Sequence, residues 1–351
     1  MTGLWRLNAA NAFRVELWNG CYRRCGHRGK TQKDFNLTGH VHSWRPIRDV
    51  TCVINDTTLL RLGFKPFRRI AEYGDFNADI PIALLNPGAN WVTIMATDIT
   101  GAVTSTNVIV VRSESGFYPL PVNVRWDSVQ LLDDVGECTD GKWSFGPEGI
   151  RTVQAGYDRI FLIGDQTWKD YDVTTRVTVH SMAKRPGRQS GRVRHVGFCF
   201  RWKGHSNEDN ARDAQPKWGL HPRGGVAWLT IVNNRLPPVR QFFPGDSEEF
   251  ETFGSFPIEF GQPFAIRGSC ETLGAHTTRY SFKAWHINSP EPDNWDFQVV
   301  QDSATALRSG ALALVAHELD VTFGDIKITG TTSEQSAELS ASAISDGRSL
   351  D

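Results

Sequence analysis

Residues 91–98 read Trp91-Val92-Thr93-Ile94-Met95-Ala96-Thr97-Asp98, and residues 104–111 read Thr104-Ser105-Thr106-Asn107-Val108-Ile109-Val110-Val111. The turn Ile99-Thr100-Gly101-Ala102 separates them. Successive side chains of a strand point to opposite faces, so Val92, Ile94 and Ala96 share one face. Val108 and Val110 answer them across a hairpin. The preceding Asn86-Pro87-Gly88-Ala89-Asn90 is made of turn-forming residues.

Outward from this hairpin, the same alternation recurs between clusters of Gly, Pro, Asn and Asp, and helix-period patterns are almost absent. Asp49–Asn55 and Gly74–Ile80 read as earlier strands. Tyr171–His180, Val196–Trp202, Ala227–Val232, Phe264–Arg267, Tyr280–His286, Gly310–Ala316 and Val321–Ile328 read as later ones. The chain is therefore expected to be all-β. Its 351 residues suit two domains. The expected division is a sandwich over 1–113, a linker over 114–121 with one glycine and two prolines, and a larger sandwich over 122–330. Residues 331–351, rich in Ser, Thr and Glu without an apolar period, are expected to be a disordered tail.

The hydrophobic content of 40% fits a folded chain, and the 12 tryptophans are many. The net charge of -1 provides no global field for nucleic acid or an acidic membrane. Charge is nonetheless uneven. Arg23, Arg24, Arg28, Lys30, Lys33, Arg45 and Arg48 form one basic stretch, and Lys184, Arg185, Arg188, Arg192 and Arg194 another. Acidic clusters lie at Glu208-Asp209 and from Asp246 to Glu251. These are solvated loops or a local site for an anionic polymer. No stretch approaches the ~20 apolar residues of a bilayer span. Met1–Leu17 lacks the basic start and apolar core of a leader. The six cysteines, Cys21, Cys25, Cys52, Cys138, Cys199 and Cys270, show no zinc spacing. Cys199 reads as a buried thiol, and Cys52 pairing with Cys21 or Cys25 is one option.

The hairpin from Pro87 to Val111 is similar to the last two strands of bacterial immunoglobulin-like and cadherin-like modules, which mostly space or bind. The second region resembles the concanavalin A-like lectin/glucanase superfamily, particularly its laminin-G-like branch. Three places carry that resemblance: Trp168-Lys169-Asp170-Tyr171-Asp172-Val173, the strand Val196–Trp202, and a closing hairpin from Gly310 to Ile328 whose last strand returns beside the first. The resemblance implies a jelly roll of two stacked antiparallel sheets, one of them concave, with the ligand on the concave face or its rim. It also implies a possible structural calcium near the closing strand, at Asp325.

The glycosidases of that superfamily place carboxylates on one strand as Glu-x-Asp-x-x-Glu. That pattern is absent. The nearest clusters, Glu248-Glu249-Phe250-Glu251 and Glu291–Asp296, read as loops. The Gln-x-His and Tyr-x-Lys strands of the alginate-lyase branch are absent too, as are Gly-x-Ser-x-Gly and His-Glu-x-x-His.

The remaining candidates lie on or near strands. With Phe198 and Phe200 inward, Arg201 turns to the concave face, where an arginine needs a partner or a ligand. Lys283 and Trp285 share a face, as core or as a stacking platform. His317-Glu318 ends a strand, as an acid/base pair or as a turn with a solvated carboxylate. His205 and Trp218 form an aromatic, basic rim. His40 and His42 share a strand face and could ligate a metal, with no third ligand evident.

Three functions follow as expectations. The first is carbohydrate binding or adhesion through Arg201, His205, Trp218, Lys283, Trp285 and His317, with the first domain as spacer. The second is a polysaccharide-degrading hydrolase or lyase, with Arg201, His317 and Glu318 as catalytic candidates. The third is a structural, protein-interacting module of a surface assembly, favoured by an exposed edge or apolar patch on the first domain. The expected partner is a glycan, and the expected compartment is extracellular or cell-surface.

Overall fold

The computed structural model describes residues 13–183, 194–207, 215–232, 238–245, 250–253 and 257–331. The basic run from Lys184 to Arg192, Glu208-Asp209, Asp246–Glu249 and residues 332–351 lie outside the described residues. Nearly everything else is strand and turn, as the alternation predicts.

The first unit contains β1 (Arg14–Leu17), β2 (Tyr22–Cys25), β3 (Asp34–His42), β4 (Ile47–Ile54), β5 (Thr58–Leu62), β6 (Asp75–Pro81), β7 (Gly88–Asp98) and β8 (Val103–Arg112). Among the described residues they form a three-stranded sheet, β1-β3-β6, and a five-stranded sheet, β2-β8-β7-β4-β5. The β7–β8 hairpin places Val92 opposite Val108 and Trp91 opposite Ile109. Val92, Ile94, Ala96, Val108 and Val110 are fully buried, packed with Phe35, Leu37, Phe76 and Ile80 of the facing sheet. Such burial stabilises by roughly 1.5–3 kcal/mol per large apolar side chain.

The second unit contains β9 (Val122–Val124), β10 (Glu137–Cys138), β11 (Trp143–Gly146), β12 (Gly149–Thr152), β13 (Arg159–Ile163), β14 (Tyr171–Met182), β15 (His195–Trp202) and β16 (Gly225–Thr230). It continues through β17 (Val239–Pro244), β18 (Phe250–Phe253), β19 (Pro263–Thr272), β20 (Thr277–His286), β21 (Phe297–Asp302), β22 (Ala311–His317) and β23 (Leu319–Gly330). A seven-stranded sheet runs β10-β13-β22-β15-β16-β17-β18. An eight-stranded sheet runs β11-β12-β23-β14-β19-β20-β21, with β9 against β23. This is a jelly-roll β-sandwich, and its last strand lies beside its first. Phe161, Phe198, Phe200, Leu314, Val173, Ile266 and Phe282 fill the space between the sheets.

Two expectations change. Gly310–Ile328 is not a hairpin: β22 belongs to one sheet and β23 to the other. Glu318 sits between them at φ 56, and this left-handed residue turns the chain across the sandwich. All six cysteines are free thiols, so no bridge joins Cys52 to Cys21 or Cys25. No helix among the described residues is long and apolar enough to cross a membrane.

The two units meet through a buried polar seam. On β3 and β6, Phe35, Leu37, Phe76, Ala78 and Ile80 face the first core, so Asn36, Asn77 and Asp79 face outward. They are buried all the same, because the larger sandwich covers them. Arg69 donates to both oxygens of Asp79 (2.9 and 3.0 Å) and to Asp140. Asn77 donates to Thr139 O (2.7 Å), and Lys217 reaches Asp34 (2.7 Å). Glu137 accepts from Thr31, Gln32 and the Asn36 N–H at 2.8, 3.1 and 2.8 Å. Arg23 pairs with Asp133 (2.7 Å) and Arg24 with Asp134. This part of the basic stretch is inter-unit adhesion rather than solvated loop.

Candidate functional site

A sheet covered on both faces reads as a continuous apolar run rather than an alternation. The seven-stranded sheet behaves this way: β13, β15 and β22 are buried throughout. Its outer face carries a second apolar cluster of Ile160, Leu162, Cys199, Trp202, Val226, Ala313 and Val315. At one end of this face the apolar residues stop and a polar row begins. Register fixes the row: His195 pairs with His317 on one side and with Thr230 on the other. Arg159 pairs with Ala316, so Asp158 falls beside His317. In the next row Gly197 pairs with Trp228 and Trp228 with Gln241.

The side chains interlock. His317 Nδ1 donates to Asp158 Oδ1 at 2.7 Å, a tautomer set by the carboxylate acceptor. His195 lies flat on Trp228, centroids 4.1 Å apart at 12°, and its Nδ1 is 2.9 Å from Thr230 Oγ1. Trp228 Nε1 donates to Gln241 Oε1 (3.0 Å), and Gln241 donates to Glu251 (2.5 Å). Tyr157 touches His317 edge-on at 4.9 Å. Burial acts to raise the Asp158 carboxyl, yet the charge and hydrogen bond of His317 hold it below its ordinary value. Burial, reinforced by the charge of His317, pushes His195 down to about 3. The row thus combines a histidine held neutral, a His–carboxylate pair and a half-buried indole. Such a set can accept and donate hydrogen bonds, and it can move a proton at His317.

Backbone strain converges here. Left-handed φ is uncommon outside glycine and Asn/Asp turns. Asp158 (φ 40), Glu318 (φ 56) and Arg68 (φ 46) all adopt it, and all three lie around His317 or its neighbour Tyr157. Strained backbone of this kind clusters at functional sites.

The expected site residues divide among different places. His317 belongs to the row. Trp218 lies against the Phe67–Arg68 turn of the first unit, edge-on to Phe67 at 4.5 Å and under Arg68 at 4.8 Å. Arg201 does not turn to the outer face. A bulge between Cys199 and Trp202 interrupts the alternation, so Trp202 faces outward and Arg201, at φ 50, turns back into the sandwich. Its guanidinium is fully buried against Lys169 O, Leu307 O, Thr278, Thr272 and Asp170 at 2.8–3.0 Å. His205 is buried in the seam, Nε2 to Asp140 Oδ2 at 2.7 Å. Lys283 and Trp285 do share a face, but it is the outer face of the other sheet. There Lys283 is held by Glu291 (2.7 Å) and Trp285 is largely covered. The Glu318 side chain is buried. Asp325 lines grooves of about 430 and 390 Å³ on that same far face and accepts the Trp126 N–H at 3.1 Å.

No group of three or more His, Cys, Asp or Glu side chains among the described residues is placed to hold a metal. His40 and His42 do lie together, centroids 4.6 Å apart. Asp75 and Glu16 engage them at 2.7 Å each. The outer face of the five-stranded sheet leaves Tyr22, Leu59 and Trp91 exposed.

Sequence reasoning missed Asp158, His195, Trp228 and Gln241. Period two was the available signal: His195-x-Gly197-x-Cys199 and Val226-x-Trp228-x-Thr230 end faces of small or apolar residues in His195 on one strand and in Trp228 and Thr230 on the other.

No family model matches the chain, and no curated protein matches it. Solved structures do. The carbohydrate-binding module CBM66 from Bacillus subtilis is 13% identical, covering 56% of this chain and 95% of its own, with a TM-score of 0.34. The Ca2+-bound exoplasmic/lumenal domain of VIP36 is 9% identical over 59% of this chain and 88% of its own, at 0.38. An alginate lyase from Klebsiella pneumoniae is 12% identical over 46% and 60%, at 0.30. Likenesses this distant bear on no residue of the site.

Proposed function

We propose that this protein binds a polysaccharide on the outer face of the seven-stranded sheet, at the row His195–Trp228–Thr230–Gln241–Asp158–His317. The observation that supports this reading is the abrupt change of chemistry on that face. An apolar, covered surface ends in a row of donors and acceptors around a half-buried indole, framed by left-handed residues. A sugar ring presents a C–H face to an aromatic surface and hydroxyls that both donate and accept, and the row sets an indole beside groups of each kind.

Affinity electrophoresis of the full chain against neutral and acidic polysaccharides tests the reading. Retardation by at least one polymer, largely lost in Trp228→Ala, is the expected result. Unchanged mobility across the panel would overturn it.

The His317–Asp158 pair favours a second reading, proton transfer during cleavage of a glycosidic bond. A carboxylate at Nδ1 fixes the orientation of the ring and its tautomer. New chain ends that disappear in His317→Ala would support it. Binding without new ends would leave the protein a binding module.

A further inference from the structure

We infer that Arg223, on the outer face of the seven-stranded sheet, is the anchor for an anionic group, carboxylate or sulfate, of the bound polysaccharide. The inference rests on the binding reading above and adds to it a ligand class and the residue that selects it.

The local sequence places this side chain. Residues 222–227 read Pro222-Arg223-Gly224-Gly225-Val226-Ala227, and Arg223 is the one polar side chain among them. Gly224 N–H donates to Phe200 O (3.0 Å) and Lys203 N–H to Pro222 O (3.4 Å), so the backbone on either side of Arg223 is tied to the end of β15. A Cβ on Gly224 would stand 2.8 Å from Arg201 Cβ and 2.9 Å from the Tyr280 hydroxyl, both inside the sandwich. Position 224 therefore faces inward, and alternation turns Arg223 outward. It emerges beside an apolar floor of Cys199, Val226, Ala311 and Ala313, against which Leu220 packs.

Nothing on that floor answers a guanidinium. Arg223 is half-buried, and its Nε is shut off from solvent with no acceptor among the described residues. Nor does any carboxylate among the described residues pair with it. Arg201, by contrast, bonds through all three of its nitrogens. The groups whose charges act on Arg223 are Cys199 and Asp158. Burial pushes the Cys199 thiol up to about 12, so it is neutral at neutral pH. Asp158 is held by His317 at 2.7 Å, and Glu251, the other carboxylate beside the row, by Gln241. Burial accordingly pushes the Arg223 guanidinium below its ordinary value. An arginine does not shed its proton in a protein, so the charge stays and its partner must come from outside.

The row is close enough for one ligand to use both. Cys199 pairs with Val226 and Gly197 with Trp228, so one step of two residues, roughly 7 Å along the strands, separates the Cys199 floor from the indole. A sugar residue is of that length. A ring on Trp228 thus brings a carboxylate or sulfate to the Arg223 fork, and a fork-to-oxyanion pair is among the strong hydrogen-bonded contacts.

The test uses the full chain with polygalacturonate (carboxylate), dextran sulfate (sulfate) and neutral dextran, comparing wild type with Arg223→Met, Arg223→Lys and Trp228→Ala. Methionine keeps an apolar stem on the floor and removes the charge. The expected result is tighter binding of one acidic polymer than of dextran, weakened about tenfold or more in Arg223→Met, as loss of a charge-assisted pair predicts. The urea midpoint of Arg223→Met is expected at or above that of wild type, because an unmatched half-buried charge has been removed. Arg223→Lys, which restores charge without the fork, is expected to recover part of the binding. Which acidic polymer binds more tightly distinguishes carboxylate from sulfate. A clear fall in the midpoint of Arg223→Met would show that the guanidinium is engaged within the fold, and would overturn the inference. Wild-type binding in Arg223→Met, with binding lost in Trp228→Ala, would overturn the role of Arg223 and leave the row intact. Equal or better binding of dextran would overturn the anionic class alone. Binding of no polymer would overturn the reading beneath both.

Discussion

Arg69 of the first sandwich and Asp140 of the second form a fully buried ion pair, and each has a further partner. The guanidinium also grips Asp79, and the second Asp140 oxygen takes His205. Four charged or ionisable groups from both units thus share one dry site. Burial acts to raise the Asp140 carboxyl, and Arg69 and His205 nevertheless hold it below its ordinary value. The seam is consequently a fixed joint, and it holds Arg68 over the larger sandwich.

Arg69→Met should destabilise the protein by about 3–5 kcal/mol, because it leaves Asp79 and Asp140 buried without their shared counter-charge. Urea unfolding at neutral pH measures this. A loss below about 1 kcal/mol, the scale of an exposed pair, would show that the seam does not depend on Arg69.

Glu137 gives a pH signature. Burial raises its carboxyl from an ordinary 4.5 to about 7, against the pull of Thr31, Asn36, Gln32 and Arg23. The folded chain therefore binds a proton more readily than the unfolded one. The stability this contributes is complete below pH 4.5 and is lost as pH rises to about 7. Glu137→Gln should flatten that decline, so that the variant gains on wild type between pH 5 and 8. Parallel urea curves at the two pH values with the same difference between the proteins would contradict the assignment.

Arg201 should prove structural. Arg201→Met strands Asp170 and several carbonyl and hydroxyl partners, and a loss of about 3–5 kcal/mol is expected by analogy with broken buried pairs. Polysaccharide retardation, measured on the folded fraction at low temperature, should be unchanged. Lost binding with full stability would return Arg201 to the site.

His195 should stay neutral over the working range. Burial and the charge of His317 depress it from 6.5 to about 3, so its contribution to stability is present above pH 6.5 and lost as pH falls toward 3. Its ring proton resonances should not titrate between pH 5 and 8. A midpoint near 6.5 would mean that the Trp228 stack is open to water.

Much of the fold was legible because strand alternation is local. The β7–β8 hairpin, β14, β15, β20 and β23 lie where the pattern puts them, since period two and turn residues need no distant information. The failures have physical causes. Alternation carried one residue too far along β15 placed Arg201 outside, because a bulge leaves no mark in an unbroken apolar run. Lys283 and Trp285 were grouped with His317 because residue types alone do not say which of two sheets a strand joins. The arginines at 23 and 24 read as solvated loop or as a site for an anionic polymer, and their partners lie more than a hundred residues away.

By itself, the sequence determined the strands, the turns and the inward-facing apolar residues, because each depends on neighbours within a few positions. Tertiary structure alone decided which sheet each strand joined, where the bulge turned Arg201 inward, and that polar faces of the two sandwiches would be buried together. It also decided that Asp158, His195, Trp228 and His317 would form one row. Those outcomes depend on register and docking between segments far apart in the chain, and the pairing of distant backbone groups is not written in any local pattern.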